Sequence, residues 1–424
     1  MTSPEQIIEI VMDDKTYNVS KSKLIEKSDY FRALYSSGMR ESAEDSVQLR
    51  GLSAPGLELV LEFINTSKVQ VANETLEDLI ETASFLQVTS ILKLLLSEIK
   101  QENCVELFKL SEVYGMHELR KACLKFMSCY YHPMLRRPEF RMLPAPLRDQ
   151  IRDMRMKGTA TLVAIGDFTD TCLDLANQDE PWSMLRYNEL EQRWKPLANN
   201  LPQDMINVRG YGSAVLDNYL FIVGGYRMTS QEISVAHCYN PCKNEWNHVA
   251  PLNQKRSNFK LLAVSGKLYA VGDRNTNVLR YCPASDTWSV FRSCSAHVRK
   301  QQMLSVEDTI YLVGGYTHEL EPAELGRRRL SQTEDMLTVQ SYNVQTGEWL
   351  QLKENTSKSG LNLTCTLHND GIYIMSRDVS LPTSLEHRVF LKYNIFSDAW
   401  EAFRRFPALG QNMLLCSLYL PNVL

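Results

Sequence analysis

Cysteine is sparse in this chain: ten in 424 residues, irregularly spaced, far below the density of a disulfide scaffold and typical of a reducing compartment. Long apolar runs are missing too. The stretch Ile91–Leu96 is interrupted by Lys93, and nothing approaches the ~20 residues of a membrane span. The first residues, Met-Thr-Ser-Pro-Glu-Gln-Ile-Ile, carry no basic segment leading into an apolar run, so no signal peptide is expected. Asn-x-Ser/Thr triplets at Asn65, Asn73, Asn355 and Asn362 then read as chance matches. Neither sign of charge dominates: 46 Lys+Arg stand against 50 Asp+Glu, a net charge of −4. That balance exerts no global pull on nucleic acid or anionic lipid. A cytoplasmic protein without membrane or nucleic-acid partners is expected.

Catalytic signatures are equally scarce. The chain has no HExxH, no GxxxxGK[ST], no local Ser/His/Asp pattern and no zinc-finger spacing. The eight histidines are scattered singly. Cys238 and Cys242 flank Tyr239-Asn240-Pro241 and read as core thiols rather than a metal or redox pair. Neither a metal nor a cofactor is expected, and the protein is read as a non-enzyme.

What is present changes character near residue 158. Before it, an alternating strand at Ile8–Met12 turns through Asp13-Asp14 into a second strand at Thr16–Val19. Ser28 is placed to cap a helix carrying Phe31, Leu34 and Tyr35 at helical spacing, with Gly38 as the stop. Amphipathic segments follow, then a helix pair broken at Gly115. The run Tyr30-Phe31-Arg32-Ala33-Leu34-Tyr35-Ser36-Ser37-Gly38-Met39-Arg40-Glu41-Ser42 resembles a BTB/POZ signature, with support from Val47-Gln48-Leu49 and Ala83-Ser84-Phe85-Leu86-Gln87. Asn103-Cys104-Val105-Glu106-Leu107 resembles the start of a BACK segment.

Beyond residue 158 a signature recurs. Five times a Tyr precedes a Trp by seven residues: Tyr187/Trp194, Tyr239/Trp246, Tyr281/Trp288, Tyr342/Trp349 and Tyr393/Trp400. Each pair follows an apolar strand ending in Gly-Gly or a degenerate version, as at Gly224-Gly225 and Gly314-Gly315. This resembles kelch repeats, ~50 residues per four-stranded propeller blade. The first repeat lacks an inner strand, and the stretch Asn412–Leu420 is left over after the last Trp. The C-terminal segment is therefore expected to complete the first blade. The kelch proteins that the chain resembles have six blades. Gly272 lies only nine residues before Tyr281, so the expectation is that one blade's worth of sequence is absent after Gly272, with a true five-bladed ring as the alternative.

The expected fold is thus multidomain: an α/β BTB/POZ domain over 6–100, a shortened all-α BACK segment over 101–157, and an all-β kelch propeller over 158–424. Two recognition surfaces are expected. Met39-Arg40-Glu41 matches the hydrophobic-x-Glu element by which BTB adaptors of this family engage cullin-3, with Asn103 and Cys104 on the helix pair that would extend the contact. Basic residues precede successive inner strands: Arg209, Lys255, Arg256, Arg299, Lys300 and Lys358. The repeat sets these at one end of the propeller, where an acidic client could dock. The polar insertion Thr317–Asp335 holds Arg328-Arg329-Leu330-Ser331, a candidate phosphorylation site at Ser331.

By resemblance to BTB-BACK-kelch proteins, the chain is expected to be a substrate adaptor of a cullin-3 RING ubiquitin ligase. The alternative expectation is a cytoskeletal scaffold. For the family member that it looks closest to, the resemblance implies the microtubule-severing ATPase katanin as client and a mitotic, spindle-associated role. Three departures stand out. About five residues precede the first strand, which argues against the strand-exchanged homodimer of the family. Asn18-Val19-Ser20-Lys21 stands where a His is usual, and the BACK segment is short.

Overall fold

The computed structural model describes residues 6–38, 44–169, 184–197, 201–228, 231–272, 277–293, 302–306, 309–316, 336–343, 345–352, 355–359, 363–377, 388–402 and 409–422. The chain divides into two compact units, Met1–Met154 and Arg155–Leu424.

In the first unit, β1 (Ile7–Met12) turns through Asp13, whose φ is +51°, into antiparallel β2 (Lys15–Ser20). Strand β3 (Ser46–Gln48) adds in parallel on the other edge of β1. The period-two alternation works as read: Ile8, Ile10 and Met12 are buried and Ile7 and Glu9 are exposed. Helices α1 (Lys21–Lys27), α2 (Asp29–Ser36), α3 (Ala54–Thr66), α4 (Leu76–Phe85) and α5 (Ser90–Ser97) complete this part. Ser28 caps α2, its Oγ accepting from the Phe31 N–H at 3.3 Å and donating to the Leu86 carbonyl at 2.5 Å. Ser53 caps α3 in the same way through Gly56 N–H. A Cβ on Gly56 would stand 2.4 Å from the Asp78 carbonyl oxygen, so α3 and α4 approach to a distance that only glycine permits. The helix pair is α6 (Cys104–Val113) and α7 (His117–Cys129), parted at Gly115 with φ +66°. Helices α8 (Tyr131–Leu135), α9 (Pro138–Arg141) and α10 (Ala145–Asp153) follow.

Among the described residues the second unit holds five antiparallel sheets. The first joins β4 (Thr159–Thr169), β5 (Met184–Asn188) and β6 (Arg193–Pro196) to the C-terminal strand β24 (Leu409–Leu420). That strand runs along β4 from Leu409 opposite Thr169 to Leu420 opposite Thr159, the ring-closing pairing that the unpaired sequence implies. The second sheet is β7 (Gly212–Leu216) to β10 (Glu245–His248), through β8 (Tyr219–Val223) and β9 (Ala236–Asn240). The third is β11 (Lys260–Val264), β12 (Lys267–Val271), β13 (Asn277–Cys282) and β14 (Thr287–Ser293). In the fourth, β15 (Gln302–Val306), β16 (Thr309–Tyr316), β17 (Met336–Asn343) and β18 (Trp349–Gln351) are joined by β19 (Asn355–Ser359) beside β17. The fifth is β20 (Thr364–His368), β21 (Gly371–Arg377), β22 (Arg388–Asn394) and β23 (Ala399–Ala402).

The seven-residue Tyr–Trp spacing has a local cause. In every blade the two residues are cross-strand partners in the last hairpin, with ring centroids 4.7–5.3 Å apart. Five residues after each Tyr the backbone enters the left-handed region, at Gln192, Asn244, Asp286, Gly347 and Asp398. In three blades that residue also accepts the Tyr hydroxyl at 2.6 Å. Asn and Asp suit both tasks, since they tolerate positive φ and supply the acceptor.

Blades adhere through the faces between them. Val163, Ile165 and Leu418 of the first blade share a core with Leu220, Ile222 and Tyr239 of the second. The first and fifth meet through Leu162, Trp194, Met375 and Phe390, and the fourth and fifth through Val313, Val339, Ile374 and Leu391. The second and third are joined by Phe221 against Tyr281 and by the Trp288 indole N–H donating to the Ala250 carbonyl at 2.9 Å. Trp194 and Trp288 are each 6% exposed, whereas Trp349 of the fourth blade is 60% exposed. Val290 and Phe291 on the outer strand of the third blade are exposed as well. The short interval after Gly272 does not leave the third blade incomplete, for it retains four strands.

Candidate functional site

On the first unit, α2 leads to the expected cullin-binding element. Phe31 anchors the helix in the core, and Gly38 ends it with φ +68°. Tyr30 stacks edge-on against Phe31, 5.2 Å between centroids, and lies 5.6 Å from the exposed Phe85 ring of α4. Half-buried Tyr30 and exposed Phe85 thus form an aromatic pair at the start of α2. Met39, Arg40 and Glu41 themselves lie outside the described residues.

Asn103 and Cys104 are placed differently from the expectation that they add to a partner surface. The Asn103 amide donates to the Glu98 carbonyl and accepts from Lys100 N–H, both at 2.8 Å, which staples the turn between α5 and α6. Cys104 is fully buried and its thiol points at the Cys123 carbonyl of α7. Its pKa is pushed far above the ordinary thiol range by the contact with Cys123 and by burial. Both side chains hold the helices together and neither is presented to a partner, which corrects their assignment as contact residues.

The second surface lies at one end of the propeller. There the loops preceding the inner strands β7 and β11 meet the β8–β9 loop. Arg209 and Tyr226 bond reciprocally through their backbones at 2.9 and 2.8 Å. Gly225 N–H donates to the Arg256 carbonyl, and Asn258 N–H to the Gly210 carbonyl, both at 2.8 Å. Ser257 hydroxyl donates to Glu232 at 2.7 Å. A Cβ on Gly225, at φ +103°, would stand 2.7 Å from the Arg209 carbonyl, so the Gly-Gly ending is what lets these loops interlock.

Of the six cations expected there, Arg209 and Lys255 are exposed at this end. Arg256 is not a surface cation. It is fully buried, with its guanidinium directed at the Ala270 carbonyl at 3.5 Å and the Gln254 side-chain oxygen at 3.3 Å, so it ties down the loop. Lys358 falls on β19, and nothing is described of its side chain. Arg299, Lys300 and Ser331 lie outside the described residues. Sequence reasoning missed Arg227 and Met228, both exposed on the β8–β9 loop, the latter 86%. The signal was the same Gly-Gly ending, because the residues right after it fall at this end of the blade.

Three further groups converge at the same end. His237 on β9 and His248 on β10 are opposite in register, ring centroids 4.2 Å apart. Asp204, in the loop before β7, lies 2.8 Å from His237 Nε2. Burial holds His237 below the ordinary imidazole pKa, opposed by Asp204. The pairing was readable: two positions outward from the Tyr239/Trp246 pair are His237 and His248. Cys238 is buried and Cys242 half-buried, and the two are not joined by a disulfide.

Comparison with known proteins fits this architecture. The BTB/POZ domain profile matches residues 8–103 and the kelch motif profile residues 208–253. Kelch-like protein 42 of Mus musculus is 55% identical over 99% of this chain and 99% of its own length, and the Homo sapiens protein of that name is 54% identical with the same coverage. This chain belongs to the kelch-like family. Within the family, kelch-like protein 13 of Mus musculus is 27% identical over 62% of this chain and 53% of its own. The alignment to the Mus musculus kelch-like protein 42 runs over 492 positions against 424 residues here, so at least 68 of them carry no residue of this chain. That is somewhat more than one blade of ~50 residues. Among the described residues no helix is long and apolar enough to cross a membrane.

Proposed function

We propose that this kelch-like protein is the client-recognition subunit of a cullin-3 RING ubiquitin ligase. The first unit engages cullin-3 through Met39, Arg40 and Glu41, and the loop end of the propeller holds the client. What carries the reading is the joining, in one chain, of a BTB/POZ domain to kelch blades with an interlocked loop surface at one end. The protein contributes effective concentration rather than bond chemistry: it holds client lysines near the ubiquitin-loaded partner of the RING subunit. Arg209, Arg227 and Lys255 around exposed Met228 suit an acidic client segment with an apolar anchor. The resemblance to kelch-like protein 42 makes the microtubule-severing ATPase katanin the first client to test, in the cytoplasm and at the mitotic spindle.

The test is co-expression with the N-terminal half of cullin-3, followed by size exclusion with light scattering, alongside Met39→Ala and Glu41→Ala. A stable complex weakened in both variants supports the reading, and its mass distinguishes one adaptor from a homodimer. A folded chain that forms no complex overturns it and leaves the cytoskeletal scaffold, which filament co-sedimentation then tests.

A further inference from the structure

We propose that Asp204, His237 and His248 form a site for a divalent transition metal, Zn2+ by the chemistry of its donors, at the loop end of the second blade. The donor atoms of all three lie within 4.8 Å of one another. Tetrahedral Zn2+ with bonds of 2.0–2.1 Å separates its ligand atoms by about 3.3 Å, so small rotations of these side chains reach coordination distance. The two histidines are well fixed for it. They are directly opposed on adjacent antiparallel strands, the arrangement that keeps two imidazoles on the same face of a hairpin. Asp204 approaches from the short 3-10 turn Gln203–Met205, whose far side is anchored by the buried Met205.

The local chemistry agrees. Two imidazoles and a carboxylate form a borderline donor set that suits Zn2+ over Ca2+ or Mg2+, which want mostly oxygen. His237 is buried, with its Nε2 already held 2.8 Å from the Asp204 carboxylate, so two of the three donors are fixed together. His248 is exposed and Asp204 half-buried, leaving an open side for water or a fourth ligand. Arg227, which donates to the Asp204 carbonyl at 3.2 Å, reaches the backbone rather than the carboxylate. Binding would pin the loop that also carries Arg209 onto the blade, linking metal to the shape of the proposed client surface.

The experiment uses the full chain, stripped with chelator and titrated with Zn2+ by calorimetry and with Co2+ by visible absorption. One ion per chain, the intense d–d bands of tetrahedral cobalt, and no sulfur-to-cobalt charge-transfer band are expected. His248→Ala, at an exposed position, should leave metal-free thermal unfolding unchanged, weaken Zn2+ binding at least tenfold and abolish its stabilising effect. His117→Ala, an exposed histidine on α7, should bind as the parent does. Absence of binding, a thiolate band, or equal affinity in the His248→Ala protein would overturn the proposal.

Discussion

Replacing Asn218 with alanine would test how the propeller is held at its seam. Asn218 closes the β7–β8 hairpin with φ +55°, next to Asp217 at +50°, and it is 2% exposed. Its amide donates to the Tyr419 carbonyl at 2.9 Å and the Arg155 carbonyl at 3.2 Å, while its oxygen accepts the Tyr419 N–H at 2.9 Å. One side chain thus fastens the C-terminal strand and the start of the unit to the second blade. Arg155 completes the knot, lying 3.7 Å over the Tyr219 ring and donating to the Asp217 and Asn218 carbonyls. Losing three bonds at about 1 kcal/mol each, part of it recovered by water, costs about 2 kcal/mol. Forcing alanine into the left-handed region adds about 1 kcal/mol. Asn218→Ala should therefore destabilise by about 3 kcal/mol and Asn218→Gly by about 2 kcal/mol, since glycine spares the backbone term. Read as hydrogen exchange, 3 kcal/mol is about a hundredfold loss of protection at Tyr419 and its β24 neighbours. A urea melt of the alanine protein within about 0.5 kcal/mol of the parent, or a glycine protein weaker than the alanine one, would refute the reasoning.

Three further outcomes are expected. Tyr281→Phe removes the hydroxyl that donates to Asp286, which also receives the Ala250 N–H from the preceding blade at 3.1 Å; a loss of about 1 kcal/mol in urea melts is expected. Arg256→Ala should cost about 2–4 kcal/mol through a cavity and lost loop bonds, whereas exposed Lys255→Ala should stay within about 0.5 kcal/mol in the same melt. Because burial depresses the pKa of His237 below its ordinary 6.5, the unfolded chain binds more protons just below that pH. Stability is thus complete above 6.5 and falls as pH drops through the folded-state value, so urea midpoints should decline as pH is lowered below 6.5. His237→Gln should flatten that decline.

Local chemistry was legible in the sequence and distant chemistry was not. The Tyr–Trp spacing could be read because it encodes one hairpin, with strand partners and a left-handed turn residue all inside eight positions. The returning C-terminal strand could be inferred because an apolar segment was left without a partner. Arg256, by contrast, looked like its exposed neighbour Lys255, since its burial depends on Gly225 and Ala270 from other strands. Asn103 and Cys104 both turn inward, Asn103 onto the turn before α6 and Cys104 onto α7, and only that packing decides their burial. Asn218 gave no signal at all, because its partner Tyr419 is 201 residues away.

The C-terminal location of β24 also governs the order in which the molecule can be made. The inner strand of the first blade leaves the ribosome long after β4, so β4 waits with an open hydrogen-bonding edge while the sheets between them are synthesised. At ~5–20 residues per second, the ~250 residues between them take roughly 12–50 s. During that interval the edge is open to any extended segment nearby, and only the arrival of β24 covers it.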